Sequence, residues 1–135
     1  MFKKLITTEP WMAEQVLAVV RIVLGLLVIY HGQEVFNPHL MKEYAGWAPF
    51  QGPGGKVMVY IGKSTELLAG VSLFLGAFTR AGALLLIGAL TYITFFVGQG
   101  RFWYEDQHPF MFVLLGVIYF FYGPGSWSVD RLFKV

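Results

Sequence analysis

Five ionisable side chains interrupt two otherwise apolar stretches of this sequence. Arg21, His31 and Glu34 lie within RIVLGLLVIYHGQEVF, and Lys63 and Glu66 lie within VYIGKSTELLAGVSLFLGAF. Groups of this kind in an apolar setting turn inward and find partners, because an exposed charge in hydrocarbon costs about 2.5–3.5 kcal/mol or more. Two chemistries fit the set. In one, the charges neutralise one another and fix helix register. In the other they form a ligand or proton site, where His31 titrates near neutral pH and Glu66 is its partner. A metal site is disfavoured, because His31 and Glu34 supply two ligands at i,i+3 and no third is evident. No nucleophile–base pair, phosphate loop or bis-His haem pair stands out. The absence of cysteine excludes a disulfide scaffold, a thiol redox motif and a thiolate-held iron–sulfur cluster.

These residues must be held by membrane-spanning helices. The 135 residues are 56% hydrophobic and only 13% charged, against about 25% charged in soluble domains. So little charge cannot cover a small soluble globule, while 18% aromatic residues exclude disorder. A net charge of +2 gives no support for nucleic-acid binding. Apolar stretches at 16–36, 57–78, 81–97 and 109–122 each approach the roughly 20 residues that cross about 30 Å of hydrocarbon, the last being short. Period-2 alternation is absent, so strands of a barrel are not supported, and helices are the remaining spanning element. The expected fold is an all-α, integral membrane four-helix bundle, forming a single domain over 1–135.

At about 1.5 Å per residue, His31 and Lys63 lie roughly 22 Å, and Glu66 roughly 18 Å, from the same end of an antiparallel pair. Glu34 is one turn further out and within reach of Lys63, whereas Arg21 has to extend upward to touch Glu66. Arg21, Gly25, Val28 and Gly32 share a stripe on the first span; Gly62, Glu66 and Gly70 repeat every four residues on the second. Small residues at such spacing allow close helix approach. Gly25 and Gly32 against Gly62 and Gly70 therefore form the expected contact, with His31, Lys63 and Glu66 sealed at the crossing.

Thr79–Arg80 is a tight turn joining spans two and three, whereas 37–56 and 98–108 are long connections on the face opposite the chain ends. Lys3, Lys4, Arg80, Arg131 and Lys134 on the chain-end face outnumber Lys42, Lys56 and Arg101 on the other. The positive-inside rule then places both termini in the cytoplasm. Met1–Gln15 is read as a retained interfacial segment rather than a signal peptide, since Thr7 to Pro10 interrupt before any apolar run. Trp47, Pro49 and Phe50, with Phe102, Trp103 and Tyr104, form an interfacial aromatic belt, or alternatively a lid over a pocket for a flat lipid-soluble molecule such as a quinone. Glu105, Asp106, His108 and His39 are a weaker candidate for gathering a metal.

With these residues in place, the chain resembles the DoxX-like family of small four-helix bacterial membrane proteins. The resemblance rests on Arg21, Gly25, His31 and Gly32 in the first span, and on Glu66, Gly70, Gly76 and Arg80 through the second span and its turn. The closing GPGSWSVD, residues Gly123 to Asp130, completes it. One position departs: the family commonly has Lys three residues after the His, where this chain has Glu34, and the basic residue stands on the facing helix as Lys63. A charge swap between helices keeps such a pair. The resemblance implies a multi-pass protein of the bacterial cytoplasmic (inner) membrane, similar to a subunit associated with thiosulfate:quinone oxidoreductase. The expected function is a membrane subunit or accessory protein of a quinone-linked oxidoreductase or respiratory complex. Quinone is the candidate ligand, no cofactor is covalently bound, and catalysis belongs to a protein partner. The alternatives are a non-catalytic scaffold of a larger membrane complex and, less favoured, a small transporter.

Overall fold

A computed structural model describes residues 1–133; Lys134, counted above among the chain-end charges, lies outside the described residues. The fold is all-helical, and no strand occurs among the described residues. Seven α-helices follow in order: α1 Phe2–Ile6, α2 Ala13–Gly32, α3 Pro38–Ala45, α4 Gly55–Leu75, α5 Thr79–Tyr92, α6 Gln107–Tyr122 and α7 Val129–Leu132. The expectation of four helices is thus corrected to four long helices and three short ones. α2 runs on through a 3-10 turn, Gln33–Phe36, and α5 through a π-helical segment, Ile93–Val97. With these extensions, Ala13–Phe36, Gly55–Leu75 and Thr79–Val97 are long and apolar enough to cross a membrane. The fourth, α6, has only 16 residues, a rise of about 24 Å.

Large apolar side chains such as Val23, Leu27, Leu68, Leu84 and Phe121 point outward from the bundle, as lipid-facing surfaces require. Inside, Leu24, Val28, Ala69, Leu73, Ala83, Leu86 and Val113 form one core. The connection between spans one and two is not an irregular loop. Asn37 caps α3 by accepting from the backbone N–H groups of His39 and Leu40, and Pro38 occupies the first turn, where its missing donor costs nothing. The α3 helix buries Met41.

Glycine explains how closely α2 and α4 pack. A Cβ on Gly25 would strike the backbone of Phe74, and one on Gly32 the backbone of Leu67. At Gly70 it would come within 2.7 Å of the Ile29 nitrogen. Gly62 differs from the expectation: nothing lies within 4 Å of a Cβ built there. A row of every fourth residue drifts by about 40° per step, so from Gly70 to Gly62 the stripe has turned away from α2.

The chain-end face is closed by a buried arginine. Arg21 is fully buried; its Nε donates to the Leu73 carbonyl at 2.9 Å. Nη1 donates to the carbonyls of Pro124 and Ser126 at 2.6 and 3.2 Å, and Nη2 to that of Trp127 at 2.8 Å. Asp130 accepts from the N–H groups of Phe78 and Thr79 at 2.6 and 2.9 Å, capping α5. The Asp130 N–H donates in turn to the Gly76 carbonyl. Gly76 has φ +68°, a left-handed conformation suited to ending α4. Tyr119 on α6 donates to the Leu17 carbonyl at 2.6 Å, and Arg131 pairs with Glu14.

Two outcomes follow for stability in detergent micelles. Gly25→Leu is expected to lower the unfolding free energy by about 1–3 kcal/mol or more through overpacking, while Gly62→Leu stays within about 0.5 kcal/mol of the parent; denaturant titration followed by circular dichroism separates them. Arg21→Leu leaves four carbonyls without their donor, at about 1–3 kcal/mol for each that finds no substitute. It should expose the segment after Tyr122 to protease before the helices melt.

Candidate functional site

The polar groups at the opposite end gather around Lys63. Its Nζ lies 2.9 Å from Glu34 Oε2 and 3.2 Å from Glu66 Oε2, and donates to the His31 carbonyl at 3.4 Å. Helical side chains lean toward their own N-terminus. Since α4 begins at the loop end, Lys63 leans up toward Glu34, and the pair bridges α2 and α4. Tyr44 on α3 adds a second donor to Glu34, its hydroxyl 2.8 Å from Oε2, and its ring lies 5.2 Å from the Lys63 ammonium. Glu66, only 3% exposed, lies deepest.

Not all expected members meet. Arg21 is absent from this cluster: α2 begins at the chain-end face, so its side chain leans back to that face and is taken up by carbonyls. His31 joins through its backbone carbonyl. Its ring turns to α6, with centroids 5.8 Å from His108 and 6.3 Å from Phe112. Among the described residues no hydrogen bond joins that ring to Glu66. His108 and Tyr44 were not foreseen as members. The signal for His108 was its place at the start of the last span, at the same end of the bundle as His31; that for Tyr44 lay in the amphipathic pattern of 38–45, ten residues beyond Glu34.

The metal candidates disperse. Asp106 accepts from the N–H groups of Gln99 and Arg101 at 3.0 and 2.9 Å and shapes its own connection, while Glu105 pairs with Arg101 at 3.3 Å. Among the described residues no three His, Asp or Glu side chains gather to hold a metal.

The cluster forms part of the wall of a cavity of about 500 Å³. His31, Lys63, Glu66 and His108 contribute polar groups, while Val28, Leu90 and Phe112 are apolar wall. Tyr44, Trp47 and Phe50 from the first long connection meet His108 and Pro109 from the end of the second. Both connections therefore lie at one end of the bundle. An apolar cavity with a few convergent polar groups is the ordinary form of a small-molecule site.

Tyr44 lies outside the spans, and burial, reinforced by its bond to Glu34, pushes its phenol up to about 12. The folded state then holds a proton that the unfolded chain releases near pH 10. This contribution is complete below about pH 10 and is lost as pH rises toward 12. Denaturant midpoints measured between pH 9 and 11.5 should fall less steeply in Tyr44→Phe than in the parent; identical slopes would show that the Tyr44 proton is not linked to folding.

A family model described as DoxX matches residues 16–99. The chain is also 27% identical to an uncharacterized protein of Haemophilus influenzae over 124 residues, covering 87% of this chain and 90% of that one. No solved structure matches the chain. The matched region holds Arg21, His31, Lys63 and Glu66, together with three helices long enough to span a bilayer, and the chain belongs to the DoxX family of membrane proteins.

Proposed function

We propose that this protein is a membrane subunit or accessory protein of a quinone-linked oxidoreductase, and that its cavity holds a flat, lipid-soluble ligand of the quinone class. The supporting observation is the cavity itself: about 500 Å³, largely apolar, with His31, Lys63, Glu66 and His108 grouped in its wall. Electrons come from and pass to a protein partner; this chain binds and orients the ligand and excludes water from it. The membrane is the bacterial cytoplasmic membrane, with Lys3, Lys4, Arg80 and Arg131 on its inner side.

A second reading, a scaffold whose charges only fix register, has one observation in its favour. The Lys63 ammonium is neutralised within the protein, paired with Glu34 and Glu66 and donating to the His31 carbonyl, as a register device requires. Purification in mild detergent, with extraction of bound quinone and identification of associated proteins, separates the two. On the first reading quinone co-purifies with the parent and is lost from His31→Ala and Glu66→Ala, which keep their helical content. Equal partner capture by the parent and both variants, with no quinone in any of them, would establish the scaffold instead.

A further inference from the structure

Seven glycines lie in the four long helices beyond the first residue of each, and they divide into two kinds. A Cβ at Gly25, Gly32, Gly70, Gly82 or Gly116 would come within 3 Å of a neighbouring element, so these glycines are filled contacts. Gly62 on α4 and Gly88 on α5 have nothing within 4 Å, and both line the cavity. Near the α4–α5 turn Gly82 meets Ser72; further along, Gly62 and the exposed Gly88 border open space at the cavity. The opening faces outward. Ile61, Leu84 and Leu85 line the cavity and are 53%, 52% and 40% exposed, on the surface that meets lipid acyl chains. An apolar tail can therefore leave the cavity sideways into the bilayer.

The polar wall constrains the other end of the ligand. Lys63 is taken up by the protein: it donates to Glu66 and the His31 carbonyl and forms an ion pair with Glu34. The Tyr44 hydroxyl is given to Glu34, and the Thr65 hydroxyl to the Ile61 carbonyl at 2.7 Å. Glu66 accepts at Oε2 alone, and no protein donor reaches Oε1 among the described residues. That oxygen is not sealed off but opens on the cavity, where a ligand hydroxyl can donate to it. His31 and His108, each with one N–H and one lone pair when neutral, suit either a donor or an acceptor.

From the glycine gap and the free carboxylate oxygen together, we propose that the cavity takes a single-tailed phenol or hydroquinone. Its ring hydroxyl donates to Glu66, and its tail passes between α4 and α5 through the gap kept by Gly62 and Gly88. This rests on the ligand-site reading above and narrows it to the hydroxyl-bearing, reduced form.

The test compares 4-octylphenol with its methyl ether, 4-octylanisole, by isothermal titration calorimetry on the full chain in lipid nanodiscs. The phenol is expected to bind about tenfold tighter or better, as suits a hydrogen bond to a charged group. Glu66→Leu, which leaves Lys63 paired with Glu34, should shrink that preference to below about threefold. Gly88→Phe and Gly62→Leu should abolish saturable binding of both compounds while circular dichroism and unfolding midpoints stay at parental values. Parental binding by Gly88→Phe overturns the lateral path. Equal affinity for phenol and ether, with Gly62→Leu still blocking both, overturns the hydroxyl assignment and leaves the ligand site standing. Binding of neither compound to the parent removes this proposal and the ligand site together.

Discussion

A guanidinium buried in the first membrane helix has to find acceptors, and most of this fold follows from where it finds them. Arg21 has five N–H donors and no solvent to receive them. Its hydrogen bonds are to four carbonyls: one from the end of α4 and three from the segment after α6. Chain that would otherwise trail from the last span is thereby drawn under the bundle. Asp130 then arrives at the start of α5 and caps it. One buried charge thus ties the first span, the α4–α5 turn and the C-terminal segment into a single base.

The opposite end obeys a different economy. There the charges are three, Glu34, Lys63 and Glu66, with one cation between two carboxylates. Glu34 has a second donor in Tyr44; Glu66 has none. Backbone carbonyls satisfy the base with fixed geometry, whereas the loop end depends on side chains from α2, α3 and α4 and surrounds open volume. That division puts rigidity where the helices are joined and chemical freedom where the cavity lies.

Much of this was legible in residue type and spacing. The four long helices follow from apolar runs, and the close α2–α4 contact follows from Gly25, Gly32 and Gly70, because a missing Cβ at helical spacing has few other uses. The Lys63–Glu34 pair was legible as opposite charges at similar depth. Arg21 was misplaced because depth alone was weighed: side-chain lean, set by the direction of its helix, sends it to the base. Gly62 was misassigned because a four-residue repeat is not quite one helical turn, so its face rotates away from the partner. Tyr44 and His108 come from segments whose approach to the spans depends on tertiary packing, and the apolar runs carry no record of it.

The π-helical segment at Ile93–Val97 has a consequence for the third span. The Gly98 N–H reaches back five residues to the Ile93 carbonyl at 2.7 Å, so this turn holds one residue more than an α-turn. The span ends there, at Gly98, whose extended backbone opens the second long connection. Within the π-helical segment Ile93 and Val97 continue the cavity wall begun by Leu85 and Leu90, while Phe95 and Phe96 are turned outward. A single surplus residue therefore widens the last turn of the span where it borders the chamber, just before the chain leaves the helix for the second connection.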